Sequence, residues 1–375
     1  MRQIEDEFAI LKDKEGVVCI ATQNYQDLIT AFLTKRMAKH STIVFVRTGF
    51  ENDGSVEKVN EFFKQNDIKT ETLDARTHFS VLVGKKTFEE KMEHYSDAIA
   101  SVLKKLSAEL DAKTVVAGNI FSPSFEDGLH QGLVKHAQRK IGDTLVYSPL
   151  IGKSLNHVTQ LFTRMKPSMG LPTYPFSRVG LVSQCIGLVT EEKMDVIKAA
   201  DKTVEETLGG FVPGRYFFTA VADNIKTRPK DRSLLESIVY NSFRNLNTVF
   251  TDIGESVDLV PSMTGWGRFL LINVKDDSGE QFMPNNSTLL TLQEKILSAS
   301  KQTRVGYCIS SGNTEGKYLI VLRYFESTDF NVAIPSSQNW NRLLGVGRKI
   351  VQSNDEVAGC YIDLSTKPPA KIGYL

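Results

Sequence analysis

Apolar residues in the first third of the chain alternate between two textures. Short unbroken runs, VVCIA (17–21, after Gly16) and TIVFV (42–46, before Arg47-Thr48-Gly49), read as strands buried within a sheet. Between and after them, apolar positions recur every three or four residues, as Leu28, Ile29, Phe32, Leu33 and Met37 through 25–39 and then as Val56, Val59, Phe62 and Phe63. That spacing places each set along one side of a helix. IKTETLDA (68–75) alternates like a strand, and residues 87–109 carry Met92, Tyr95, Ile99, Val102, Leu103 and Leu106 at helical spacing. Lys113 to Ala117 supplies a fourth strand, closed by Gly118. Repeated strand–helix–strand order predicts an α/β fold with a parallel sheet covered on both faces. Ligands on such sheets bind at the carboxyl ends of the strands, so chemistry is expected just after Ala21, Val46, Ala75 and Ala117.

From Glu191 the pattern changes. EEKMDVIKAADKTVEETL (191–208) predicts an amphipathic helix with Val196, Ala199, Val204 and Leu208 on its apolar stripe. A unit then recurs: Gly267-Arg268-Phe269-Leu270-Leu271-Ile272 is answered by Gly316-Lys317-Tyr318-Leu319-Ile320-Val321. Helical segments follow each (288–300 and 341–353), and a short strand closes each (305–309 and 358–362). The glycine-to-glycine spans are 39 residues (267 to 306) and 43 residues (316 to 359), close enough to predict a duplicated α+β lobe.

Composition narrows the function classes. A chain of 375 residues is long enough for two domains. With 45 basic and 44 acidic residues, the net charge of +1 gives no electrostatic case for nucleic acid or an anionic membrane. No apolar run approaches the roughly 20 residues of a membrane span, and the start, MRQIEDEFAILKDKEG, lacks the apolar core of a secretory signal. Cys19, Cys185, Cys308 and Cys360 are far apart and form no CxxC pair; Cys19 lies within an apolar run and reads as a buried free thiol, and a reducing cytoplasm fits. The six histidines show no metal spacing with neighbouring acids or cysteines. Trp266 and Trp340 are expected to anchor packing.

An ordered set of short motifs carries a family resemblance. Gly49-Phe50 matches a DNGF turn after the second strand, Leu73-Asp74-Ala75 with His78-Phe79 a third-strand exit, and Glu89-Glu90-Lys91 an EEKR helix start. Gly118 falls in the frame of an AQGT strand end, Ser148-Pro149-Leu150 echoes EPL, and Tyr174-Pro175-Phe176 with Gly180-Leu181 fits HPFPGPGL. Leu322-Arg323-Tyr324-Phe325-Glu326-Ser327-Thr328-Asp329-Phe330 is close to LRxxxTxDF, and the chain closes on Ser365-Thr366-Lys367-Pro368-Pro369-Ala370-Lys371-Ile372. In that order, from about residue 17 to residue 375, these segments resemble the GMP synthetases. The resemblance implies a lead-in over 1–16, an adenine nucleotide alpha hydrolase-like ATP-pyrophosphatase domain over 17–190, and a dimerisation domain over 191–375. Its duplicated lobe is similar to that of the eukaryotic members, and a glutaminase-less form is expected because the resemblance starts at the first strand.

The family's reaction adenylates XMP with ATP, releases pyrophosphate and lets ammonia displace AMP. Its phosphate loop reads SGGVDS; here the same place reads Ala21-Thr22-Gln23-Asn24-Tyr25-Gln26, with no position matching. Glycines let backbone N–H groups approach phosphate oxygens, and Thr22 and Gln23 stand in their stead. Tyr25 replaces the carboxylate expected near magnesium; Asp27, a candidate substitute, would face about 200° round a helix. Other departures run the same way: the DNG acid and amide become Arg47 and Thr48, the EEKR arginine Met92, the P-D turn Pro123-Ser124, the arginine before HPF Thr173, and a later arginine Gln184. In the lid, only Lys135 and His136 resemble the phosphate-contacting residues; the alternative for Lys135, His136, Arg139 and Lys140 is a solvated basic helix face. A phosphoryl transition state needs such cations and metal ligands, each worth several kcal/mol.

Arg323 and Lys367 lie where the resemblance places XMP-holding cations, but Gly373 replaces the acid that would read the purine. Arg323 could instead pair with Glu326 or Asp329, and Lys367-Pro368-Pro369 could simply hold the tail extended. The expectation is therefore a purine-metabolism pseudoenzyme of GMP synthetase type, without catalytic residues or metal ligands. It would act in the cytoplasm by forming a homodimer, or a heterodimer with a related synthetase, or by binding a purine nucleotide. ATP and magnesium enter only if the alternative, an ammonia-dependent GMP synthase, is right; a ligand-free interaction scaffold is the third reading.

Overall fold

The computed structural model describes residues 8–86, 88–118, 138–141, 143–150, 155–169, 180–208, 216–224, 234, 237–238, 241, 257–259, 268–274, 281, 283–299, 302–313, 315–325 and 337–364. The chain divides into two compact units, one comprising Met1–Lys85 and Glu89–Val182, the other Lys86–Phe88 and Ser183–Leu375.

The first unit is built on a six-stranded sheet in the order β3-β2-β1-β4-β6-β5. β1 (Val17–Ala21), β2 (Ser41–Arg47), β3 (Thr70–Asp74), β4 (Thr114–Val116) and β6 (Thr144–Tyr147) pair in parallel, while β5 (Gln138–Ile141) runs antiparallel on the edge. The parallel α/β sheet is thus as the alternating textures predict. β1 is buried at all five positions because it lies at the centre of the sheet, and that is why its sequence is an unbroken apolar run. The first crossovers, α1 (Tyr25–Met37) and α2 (Ser55–Gln65), carry the chain outward on one side of β1; α3 (Phe88–Glu109) returns it to the other side, into β4. Right-handed crossovers put α3 on the opposite face of the sheet. Packing agrees: Phe32 of α1, Phe62 of α2 and Phe162 of α4 (Leu155–Arg164) share one core cluster with β1 and β2, from which the α3 side chains are missing. Phe32 and Phe162 meet edge-on at 5.0 Å. The winding direction reverses between β1 and β4, and that reversal fixes where a ligand crevice would open.

One element departs from expectation. Arg139 and Lys140 are not on a basic helix face but in β5, where Ile141 stands opposite Thr144 in a tight antiparallel pairing with β6. Lys135 and His136 lie outside the described residues. Trp340 is nearly buried in its helix and donates its indole N–H to Asn286 Oδ1; Trp266 is outside the described residues.

The second unit carries a second six-stranded sheet, β7-β11-β12-β10-β9-β8. β9 (Arg268–Ile272), α6 (Asn286–Ala299) and β10 (Gln302–Ser311) form one parallel strand–helix–strand unit. β11 (Tyr318–Phe325), α7 (Ser337–Ser353) and β12 (Val357–Asp363) form the other. β10 and β12 meet antiparallel at the centre, and β8 (Val257–Leu259) and β7 (Tyr216–Asp223) flank the outer edges antiparallel. The predicted repeat is therefore an internal two-fold, with its axis between β10 and β12. α5 (Glu191–Leu208) packs on α7 and β7. Lys193 of α5 is enclosed: its Nζ donates to Ile186 O (3.1 Å) and Leu188 O (3.1 Å) and pairs with Asp223 Oδ1 (2.8 Å). Cys19 is buried and free, as expected, and so are Cys185, Cys308 and Cys360.

In this sheet Arg323, at 0% exposure, reaches the neighbouring strand. Its Nε and Nη2 donate to Oδ2 of Asp363, itself 0% exposed, at 3.1 and 2.9 Å. Its partner among the described residues is Asp363 of the neighbouring β12, because parallel register brings the residue after Leu322 level with the residue after Ile362; the expected Glu326 and Asp329 lie outside the described residues. Breaking such a pair strands a buried charge. Arg323→Met should lower unfolding free energy by about 3–5 kcal/mol, read from denaturant midpoints. Arg323→Met combined with Asp363→Leu should recover most of that loss, since two apolar groups satisfy the same space without desolvated charge.

Candidate functional site

The crevice expected at the reversal point is bounded by the loop after β1 and the exit of β4. In the structure that loop is filled by its own side chains. Thr22, Gln23, Asn24, Gln26 and Asp27 are 4%, 4%, 1%, 8% and 4% exposed. Their burial decides the chemistry, because a phosphate loop works through N–H groups that point at solvent-accessible space.

Asn24 caps α1: its Oδ1 accepts the Gln26 N–H at 2.8 Å, and its carbonyl takes the first helical bond from Leu28 N–H at 3.1 Å. The Asn24 N–H donates to Thr22 Oγ1 at 3.1 Å, and the Thr22 hydroxyl donates to Asp27 Oδ2 at 2.7 Å. Two of the amides that a phosphate would need are therefore committed within the loop. The carboxylate considered as a magnesium ligand, Asp27, is likewise taken by a hydroxyl.

Gln23 ties the loop to the exit of β2. Its Oε1 accepts from the Ser55 hydroxyl at 2.7 Å and from Asn52 N–H at 3.1 Å, while its Nε2 donates to Phe50 O at 3.4 Å. Gly180 lies against the same place with φ +55°; a Cβ there would come within 2.2 Å of Phe50 O and 3.1 Å of Gln23 Nε2. Leu181 N–H donates to Phe50 O at 2.9 Å, which locks this contact. On the far side, a Cβ on Gly118 would lie 2.5 Å from Asp27 Oδ1 and 2.8 Å from Gln26 O. The β4 exit and the head of α1 are in direct contact where a crevice would have to open.

The β2 and β3 exits carry the remaining charge. The turn after Arg47 binds its own carboxylate: Glu51 Oε1 accepts from Thr48 N–H (2.5 Å) and the Thr48 hydroxyl (3.0 Å), and Oε2 accepts from Gly49 N–H (3.0 Å). Arg76 grips Asp74 through Nε (2.9 Å to Oδ1) and Nη2 (2.6 Å to Oδ2), which holds the Asp74 carboxyl down at about 2. Beneath the loop, burial pushes the Cys19 thiol up to about 12, so it offers no nucleophile near neutrality. Among the described residues no group of three or more His, Cys, Asp or Glu could hold a metal ion.

Of the residues singled out by sequence, Ala21, Thr22, Gln23, Asn24 and Gln26 are together and buried, and Arg323 is paired inside the second unit. Lys135, His136 and Lys367 lie outside the described residues, as do 174–176 and 365–375. Gln23 was legible only as a missing glycine. Its actual partners stand 27 to 32 residues away, and nothing local in the sequence announces them.

No protein-family model matches the chain. A curated protein of Sulfurisphaera tokodaii, named as one of the subunits of glutamine-hydrolyzing GMP synthase, is 26% identical over 349 residues, covering 88% of this chain and 86% of that protein. The protein of the same name from Methanococcoides burtonii is 30% identical over 210 residues, covering 53% of this chain and 67% of that protein. Among solved structures, U34-tRNA thiolase NcsA from Methanococcus maripaludis aligns at 12% identity and a TM-score of 0.35 over 54% of this chain and 71% of that one. No helix among the described residues is long and apolar enough to cross a membrane. With one of these relatives matched at 30% identity over two-thirds of its length, the chain belongs to the GMP synthase family.

Proposed function

We propose that this chain is a non-catalytic member of that family, retained for association with another protein and not for making GMP. The observation that carries this reading is the loop after β1, where Thr22, Asn24 and Asp27 satisfy one another and Gln23 bridges to Asn52 and Ser55. A triphosphate entering there would have to displace a buried hydrogen-bonded network, each bond of which contributes about 1 kcal/mol and whose unpaired remnants cost more. The family's pyrophosphate-releasing step depends on cations and metal ligands that stabilise developing charge. Here Asp27 is engaged by Thr22, and Arg323 by Asp363.

The relatives carry the names of subunits, which supports a partner chain, whether a second copy or a related synthetase component. The internal two-fold of the second unit supports assigning 191–375 as the dimerisation region and 17–190 as the pyrophosphatase-like one. A purine nucleotide held by Lys367 belongs to the same proposal, with Arg323 in a structural part.

The direct test is formation of GMP and pyrophosphate from XMP, ATP, magnesium and ammonium at high protein concentration, beside an active synthetase. Turnover should not exceed that of a Lys367→Ala control; turnover above it would return the chain to the ammonia-dependent synthases.

Installing Ser-Gly-Gly-Val-Asp-Ser at 21–26 should leave the protein equally silent. It should also lower the melting temperature, because the Asn24 cap and the Gln23 bridge vanish together.

Gln23→Ala alone should cost on the order of 1–3 kcal/mol, since the Asn52 N–H loses its acceptor and the Ser55 hydroxyl keeps only Asn52 O. A variant as stable as the parent would show that the bridge is not what closes the loop.

A further inference from the structure

At the carboxyl edge of the first sheet, one cation makes no direct ion pair among the described residues. Arg47 ends β2 in register with Asp74 of β3, and its carbonyl accepts the Ala75 N–H at 2.9 Å. Its side chain is half-buried, and its Nε is enclosed with no hydrogen-bond partner. The acids of the adjoining turn and strand are engaged elsewhere. Glu51 is held by the Thr48 and Gly49 N–H groups and the Thr48 hydroxyl, and Asp74 is gripped by Arg76 and feels Arg47 only through its field. His78, in the single turn that follows β3, has an enclosed Nδ1 that is also without a partner.

Enclosed donors without partners are rare, because each forfeits its hydration. A guanidinium is the group best shaped for two-point contact with a phosphate or carboxylate. A second guanidinium is close by: the Cγ of Arg76 lies 3.1 Å from where a Cβ on Gly49 would be, against the turn that Arg47 opens. Strand ends of parallel sheets are where such sheets take ligands.

We propose that Arg47, assisted by Arg76, anchors a site for a phosphoryl group at the carboxyl ends of β2 and β3. Arg47 supplies the primary contact, and the exposed Arg76 side chain the second, shared with Asp74. The site is separate from the filled loop after β1 and does not rest on the non-catalytic reading: it stands or falls whether or not GMP is made.

The test is titration of the full chain at low ionic strength with inorganic phosphate and, separately, with AMP, against sodium chloride of matched ionic strength. Calorimetry and melting temperature are the readouts, since a ligand of the native state raises the latter. Phosphate or AMP should raise the melting temperature above the chloride control. Arg47→Met should weaken binding roughly tenfold or more, the loss of one charge-assisted contact. Arg47→Lys keeps the charge without the fork and should fall between. Tighter binding of AMP than of phosphate would assign the phosphoryl group to a nucleotide; equal binding would assign it to the free oxyanion. The proposal is overturned if neither ligand exceeds chloride, or if Arg47→Met and Arg47→Lys bind as the parent does. It is also overturned if Arg47→Met lowers the melting temperature in chloride while the parent ignores phosphate, since Arg47 would then be serving the fold.

Discussion

Polar groups buried at the head of α1 must find partners inside the protein, and how they do so governs the first unit. In a phosphate loop, a bound anion meets those groups. Here the same groups are met from within, by Thr22, Asn24 and Asp27 acting on one another and by Gln23 reaching to the β2 exit. Once Gln23 is tied to Asn52 and Ser55, the turn after β2 is fixed, and Gly180 can lie against Phe50 O with no side chain intervening. The contact of Gly118 with Asp27 closes the other side. Together these contacts fill the head of α1 with the chain's own polar side chains.

The second unit obeys a different constraint, that of a sheet assembled from two copies of one motif. Two parallel strand–helix–strand units related by a two-fold axis through the sheet meet antiparallel, here at β10 and β12, because that axis reverses strand direction. That leaves two outer edges, and β7 and β8 pair with both. Burial of successive residues along β10, β11 and β12 makes these strands continuous apolar runs in which a charge is costly. Arg323 and Asp363 are tolerated there because parallel register places them level on adjacent strands. A residue whose type suggests ligand recognition is thereby used to fix the pairing of β11 with β12.

Lys193 and Asn66 play a similar part at segment ends. Lys193 collects two carbonyls and Asp223, which pins 186–188 to the start of α5. Asn66 accepts Ser168 N–H at 2.8 Å and donates to Phe62 O at 2.9 Å, joining the end of α2 to the segment after α4. In both, a polar side chain takes up orphaned backbone groups that no helix or strand can satisfy.

The sequence by itself determined the elements and their class. Unbroken apolar runs can be satisfied only within a sheet, and three-to-four spacing only on a helix face, so β1, β2, α1 and α2 were legible, as were the parallel order and the duplication in the second half. The mismatch between residues 21–26 and the phosphate loop of the family that the chain resembles was equally plain, because glycine's role in such a loop is local. Tertiary structure alone decided what replaced it. That Gln23 binds Ser55, that Gly118 meets Asp27 and that Arg323 pairs with Asp363 across 40 residues are outcomes of strand order and register. Local periodicity carries no information about which distant residue arrives opposite. The edge strand β5 was missed for a related reason: the basic run through Arg139 and Lys140 reads as a solvated helix face, and only the pairing of Ile141 with Thr144 makes it a strand.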